Sequence, residues 1–227
     1  MSRKKNPLKS LARLVWLAAG VAGAYWYWVR PWYRKWGAAQ NEADRIFPSD
    51  ELLPGACYSA THALTVFGSV EQVWPWIIQM GAGRAGFYSY AFIENSMGQD
   101  IHSASRIRPE LQNLKVGDVV RLGPHNLGLR VATLEPHHML VLHGDSRLGE
   151  IYLPGLKPGE YLAMTWTFLL EPINSQTTRL LERLRLDYTP TIHSAVLYRA
   201  FVEPGSFLME RRVLLGIKHR AEGRQLD

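Results

Sequence analysis

One cysteine, Cys57, occurs in the 227 residues. That excludes an intramolecular disulfide and any zinc cluster built on cysteine. No Gly-x-Ser-x-Gly elbow is present, so an esterase-type nucleophile turn is absent. Gly81-Ala82-Gly83-Arg84-Ala85-Gly86 matches a dinucleotide fingerprint in spelling only. It follows a helical pattern rather than a strand, so the phosphate cradle is missing and no cofactor is expected. Internal repeats and low-complexity tracts are also lacking. Acidic residues are scarce at the start: residues 1–45 hold nine Lys/Arg against Glu42 and Asp44, whereas residues 46–227 hold 17 Lys/Arg against 18 Asp/Glu. The formal charge of +6 therefore belongs to the N-terminal arm. Anionic lipid headgroups explain that placement better than a phosphate-reading surface, and no nucleic-acid partner is expected.

Charge is absent altogether from Leu14 to Val29, 16 residues bounded by Arg13 and Arg30. This is short of the ~20 residues that cross a bilayer. Leu8 and Leu11 lengthen the apolar surface, and Arg13 can snorkel. Trp26, Tyr27, Trp28, Trp32, Tyr33 and Trp36 form an aromatic group of the kind that settles at headgroup depth. Residues 1–38 thus read as a basic N-terminus and a single-pass membrane anchor. The alternatives are a cleaved signal peptide, with Ala22-Gly23-Ala24 as its cleavage site, and an interfacial helix, which fits poorly without a polar face. Five basic residues precede the segment, which favours a cytoplasmic N-terminus. Gly20 and Gly23, among alanines, offer a face for helix–helix pairing.

Residues 39–58 read as a polar linker punctuated by Pro48 and Pro54-Gly55, leaving residues 59–227 as one domain. Thr61–Phe67 alternates as a strand. Ser69 to Gln72 has the form of a capping box, followed by Val70, Val73, Trp74 and Ile77 at helical spacing, with Pro75 as an expected kink or restart. Phe87–Met97 suggests a second short helix. Asp118–Leu122, Leu127–Leu134, Met139–His143, Tyr161–Leu170 and Thr178–Tyr188 read as strands. Ile192–Val202 and Ser206–Glu222 read as helices interrupted at Glu203-Pro204-Gly205. The fold class is α+β: an antiparallel sheet with two short helices and a long C-terminal helix. A single long helix over a curved sheet tends to leave a cavity between the two layers.

Local motifs narrow this further. Val73-Trp74-Pro75-Trp76 with Gln79-Met80-Gly81, then Gly86-Phe87-Tyr88-Ser89-Tyr90, Glu94-Asn95, Gly98-Gln99-Asp100-Ile101-His102, Pro109-Glu110, Leu114 and Val116-Gly117-Asp118 recur in order, and Met209-Glu210-Arg211 with Gly216-Ile217-Lys218 follows. Over about residues 60–222 the chain resembles the SRPBCC superfamily, the START and pollen-allergen-like helix-grip proteins, in an uncharacterised bacterial branch labelled polyketide cyclase/dehydrase-like. The resemblance implies a helix-grip fold with a hydrophobic cavity and names no reaction. Where an acid often follows the Phe-Tyr-Ser-Tyr run in that pattern, this chain has Ala91.

Glu94, Asp100 and His102 are the densest polar set. They suit acid–base work on a bound ketone or ester, or, more simply, helix caps and loop ties. Asp100 and His102 would supply two metal ligands without a third, so no metal is expected. Glu182 falls on the apolar face of its strand with Leu180 and Leu184. An inward carboxylate must be paired, protonated or committed to a ligand, unless a bulge turns it outward. Trp74, Trp76, Tyr88, Tyr90, Trp166, Phe168 and Met209 are the expected cavity lining, although lining and ordinary core look alike in sequence. These features suggest a membrane-anchored protein that binds a lipid-like or other hydrophobic small molecule. The alternatives are a cyclase, dehydrase or hydrolase acting through Glu94, Asp100, His102 or Glu182, and a partner-binding membrane module.

Overall fold

The computed structural model describes residues 7–96, 101–123, 127–151 and 156–223. The side chains of residues 7–12, 14, 15, 93, 94 and 96 lie outside that description. Helix α1 (Pro7–Ala24) runs through a π-turn (Tyr25–Val29) into α2 (Arg30–Arg34). Helix α3 (Gln40–Asp44) and a 3-10 turn (Pro48–Leu52) precede strand β1 (Tyr58–Val66). Then come α4 (Val70–Ile78), α5 (Ala91–Ser96), β2 (Val119–Arg121), β3 (Gly128–Glu135), β4 (Met139–Asp145), β5 (Leu162–Asn174) and β6 (Thr177–Tyr188). Helix α6 (Ile192–Leu197), a second π-turn (Tyr198–Val202) and α7 (Glu203–Ala221) close the chain.

The six strands form one sheet in the order β1-β6-β5-β4-β3-β2, and every pairing is antiparallel. Its inner face carries the alternate apolar residues of the strands, including Ala60, Leu64, Phe168, Leu170, Leu180 and Leu184. These bury against Val73, Trp74 and Ile77 of α4 and Val213, Leu214 and Ile217 of α7. Helix α4 opens as its sequence dictates, with the Ser69 N–H donating to Gln72 Oε1 at 2.8 Å. Pro75 lies inside α4 without ending it. Helix α7 approaches the Tyr88 loop so closely that a Cβ on Gly216 would stand 2.6 Å from the Tyr88 Cβ.

Three expectations differ from what is observed. First, Glu203-Pro204-Gly205 does not break the C-terminal helix. Residues 198–203 keep right-handed helical backbone, and Pro204 falls in the first turn of α7, directly after the π-turn. Proline lacks an N–H, and the wider turn accommodates the missing donor.

Second, residues 39–58 do not hang free. Phe47 packs on the outer face with Ala63, Met139, Val141, Leu169 and Leu181 in a second small core. Arg183, buried on that face, donates to Asp50 Oδ2 (2.6 Å) and to the carbonyls of Arg45 (2.8 Å) and Ala43 (3.0 Å). The Asp50 carboxylate and two of the segment's main-chain carbonyls are thus spent on a buried guanidinium. Further upstream, the Ala63 N–H at the free edge of β1 donates to the Trp36 carbonyl (3.1 Å), which blunts an edge strand.

Third, among the described residues no helix is long and apolar enough to cross a membrane. The expected span from Leu14 to Val29 is divided between α1 and the π-turn. Its base is locked to the fold: Arg30 donates to the Glu203 carboxylate through Nε (2.7 Å) and Nη2 (3.0 Å), and the Tyr33 hydroxyl reaches the same carboxylate at 3.2 Å.

Candidate functional site

A cavity of about 290 Å³ lies between the inner sheet face and α7. Met164, Trp166 and Leu184 form its floor, Phe87, Ser89 and Leu122 one side, and Ser206, Met209, Glu210 and Val213 its helical wall. Strand register and helix period produce this lining. Trp166 and Leu184 are paired neighbours on β5 and β6. Met209, Glu210 and Val213 share one face of α7 at i, i+1 and i+4.

One lining residue is ionisable, and it belongs to a buried cluster. Glu182 is 0 % exposed and His62 1 %. The two are register partners on β6 and β1. His62 Nδ1 lies 3.2 Å from Glu182 Oε2 and 3.2 Å from Glu210 Oε2. Its other ring nitrogen, Nε2, is 2.9 Å from the Tyr33 carbonyl, and an oxygen can only accept, so Nε2 carries a hydrogen. The Trp166 indole N–H donates to Glu182 Oε1 at 2.5 Å. Both carboxylates lie within reach of the one Nδ1 proton. Glu182 receives it, and Glu210 Oε2 lies outside hydrogen-bonding geometry despite its proximity, buried and without a hydrogen-bond partner.

The charges of this cluster shift one another. Burial opposes a charge on His62, but the Glu182 hydrogen bond and the nearby carboxylates of Glu182 and Glu210 outweigh it and raise its pKa to about 10. Burial, then the neighbouring Glu182 charge, raises Glu210 to about 7 against the pull of His62.

Of the residues expected from sequence, Trp166 and Met209 line the cavity. Glu182 sits directly behind the Trp166 indole. The others have structural positions. Trp74 stacks on His137, with ring centres 6.2 Å apart. Trp76 meets Tyr88 edge to face, and the Tyr88 hydroxyl donates to the Trp76 carbonyl (3.0 Å) while accepting from Gln79 Nε2 (2.8 Å). Phe168 is core beside Trp166. Tyr90 packs on Phe92. The Glu94 side chain and Asp100 lie outside the described residues, and His102 is exposed away from the cavity. In that loop Asn95 makes the tie, accepting from the Ile101 N–H at 2.7 Å.

His62 and Glu210 were not singled out from sequence. His62 lies in the alternating Tyr58-Ala60-His62-Leu64 series, and a polar residue in register with an apolar set was the available signal. Glu210 hides among the charges of Glu210-Arg211-Arg212, where a surface position is the ordinary expectation.

No known family model matches the chain, and no curated protein matches it. Solved structures of similar arrangement include the hypothetical protein jhp0584 of Helicobacter pylori (12 % identity, 78 % of this chain and 95 % of that one, TM-score 0.47). Another is CV1439 of Chromobacterium violaceum (11 %, 72 % and 96 %, TM-score 0.43). A third is the di-domain ARO/CYC BexL of the BE-7585A biosynthetic pathway (17 %, 73 % and 46 %, TM-score 0.40).

Proposed function

We propose that this chain is an SRPBCC-type binding protein that attaches to a membrane and holds one apolar small molecule between its sheet and its C-terminal helix. The observation that carries this is the cavity itself: lined chiefly by apolar side chains, with a single carboxylate, Glu210, at its wall. At about 290 Å³ it sits at the lower end of the ~300–1,000 Å³ typical of small-molecule sites. It suits one acyl segment or compact ring system rather than a whole phospholipid. Glu210 gives such a ligand a polar end to meet.

Membrane attachment is supported by an exposed apolar surface. Trp16 (78 % exposed), Tyr27, Trp28 and Trp32 project from the N-terminal arm, and Ile192, Val196 and Phe201 (69 %) from the C-terminal helix. The two segments touch, with the Tyr25 hydroxyl donating to the Arg199 carbonyl at 2.6 Å. Single exposed hydrophobics need no explanation, but a concentration of them on two touching segments that also carry Arg and Lys does. Ser206, on the helical stretch that also carries the exposed Phe201 and Leu208, borders the cavity, so one helix has both the cavity wall and part of the proposed membrane face.

The test uses full-length protein in mild detergent. Native mass spectrometry with extraction of the bound material should reveal a discrete apolar species, and Leu184→Trp, which fills the cavity, should abolish it. A Leu184→Trp protein that retains the same species refutes the cavity as its site. Flotation with anionic vesicles should fail when Trp28 and Phe201 are both changed to Ser. Undiminished flotation refutes the membrane face.

A further inference from the structure

The His62–Glu182–Glu210 cluster has the composition and spacing of a metal centre. We infer that it binds one divalent first-row transition cation, such as Zn²⁺, Mn²⁺ or Fe²⁺, at the inner end of the cavity.

Distance is the first support. One ligand atom from each of the three residues lies within 4.8 Å of the other two. The two imidazole-to-carboxylate gaps are 3.2 Å each. Two ligands on bonds of ~2.0–2.1 Å at a tetrahedral angle stand about 3.3–3.4 Å apart. An ion therefore fits between the imidazole and either carboxylate with adjustments of a few tenths of an ångström, and the two carboxylate oxygens, already within 4.8 Å of each other, close on it together.

Orientation is the second. Metal-binding histidines are aimed by a hydrogen bond from their other ring nitrogen, and metal-binding carboxylates are held by outer donors. Here the Nε2–H of His62 is directed to the Tyr33 carbonyl, which turns Nδ1 toward both carboxylates. The Trp166 indole holds Glu182 Oε1 and leaves Oε2 facing Nδ1.

The third is charge. Among the described residues, the only cationic partner of Glu182 and Glu210 is His62. Two buried carboxylates and one neutral imidazole carry −2, which a dication cancels. Glu210 Oε2 would then gain the partner it lacks. Imidazole in the set favours a transition ion over Ca²⁺ or Mg²⁺. Because Glu210 also lines the cavity, the fourth position opens toward whatever occupies it.

The experiment takes full-length protein stripped with EDTA and titrates it with Co²⁺, followed by visible d–d absorption and metal analysis. One equivalent per chain with a non-aquo spectrum, displaced by Zn²⁺, is expected. Glu210→Gln keeps the side-chain volume and should remove stoichiometric binding while leaving the metal-free near-ultraviolet circular dichroism unchanged. Trp166→Phe removes the outer donor, with some ring volume from the cavity floor but no ligand atom, and should weaken binding about 10–100-fold. It decides the matter should Glu210→Gln fail to fold. The inference is overturned if the wild type takes up no stoichiometric Co²⁺, or if Glu210→Gln (or, where that does not fold, Trp166→Phe) binds it as tightly as the wild type.

Discussion

Replacing Arg30 with Met should destabilise the whole fold, not merely release the N-terminal arm. The Glu203 carboxylate is 0 % exposed and takes three hydrogen bonds, two of them from Arg30. With Arg30 gone, only the Tyr33 hydroxyl at 3.2 Å remains. Stranding a buried charge in this way costs about 3–5 kcal/mol. Glu203→Gln should cost less, about 1–3 kcal/mol. The remaining guanidinium is 12 % exposed and can keep contact with water, and it lies over the Trp26 ring at 4.9 Å. The double variant Arg30→Met, Glu203→Met should fall well short of the sum, because neither partner is then left buried and unpaired. Urea unfolding of full-length protein in one detergent, followed by far-ultraviolet circular dichroism, measures these variants beside the wild type and the single Glu203→Met, which closes the cycle. An Arg30→Met loss below about 1 kcal/mol would place the ion pair among weakly coupled surface contacts. Strict additivity in the double variant would refute the argument equally.

Gly216→Ala drives a methyl against the Tyr88 backbone and Cβ. Tyr88 is itself held at φ 60°, so it has little room to retreat, and a loss of about 1–3 kcal/mol is expected in the same unfolding assay. Phe47→Ala empties the outer core, where Phe47 is 1 % exposed, and should cost about 3–5 kcal/mol; a loss within 0.5 kcal/mol, about the size of an ordinary surface substitution, would mean that residues 39–58 do behave as a linker. Glu42→Gln tests a charged clasp. Glu42 accepts from Arg179 through both oxygens, each at 2.7 Å, and this holds its pKa below the usual carboxylate range. A depressed carboxylate stabilises the fold above its unfolded pKa and loses that contribution as pH falls through the folded value. The stability gap between wild type and Glu42→Gln should therefore be constant at neutral pH and close in acid. A gap that widens in acid would reverse the sign.

The sheet was legible because its strands alternate cleanly. Leu162, Met164, Trp166, Phe168 and Leu170 predict one face of β5, and their partners on β6 predict the facing row, Glu182 included. The same alternation offers Glu182 as an inward carboxylate, with a bulge as the alternative, and the unbroken register Phe168–Glu182 keeps it inward. Its neighbours were not legible to the same degree. Which histidine and which second carboxylate complete the cluster depends on β1 pairing with β6 across 120 residues of chain and on the rotation of α7. Aromatic residues carried even less positional information. Trp76, Tyr88 and Trp166 have the same composition-level signature, yet the first two pack on each other and the third borders a space.

The arm reads two ways for a physical reason of its own. Aromatic and basic residues are what a membrane interface selects, and they are also what a buried clasp on an edge strand uses. In residues 25–36 both demands are met by one helical stretch. Tyr33 turns inward against Phe207, with ring centres 5.5 Å apart, and Arg30 turns toward Glu203. Tyr27, Trp28 and Trp32 turn out. Composition sums over both faces and so reports only the outer one, the lipid-like signal. The inner face declares itself only through its partners, Glu203 and Phe207, which lie more than 170 residues further along the chain. The arm and the cavity meet on one helix, because α7 carries Glu203 and Phe207 at one end and Met209, Glu210 and Val213 on the cavity. Residues 25–36 are therefore joined, through Glu203 and Phe207, to the same helix that walls the cavity.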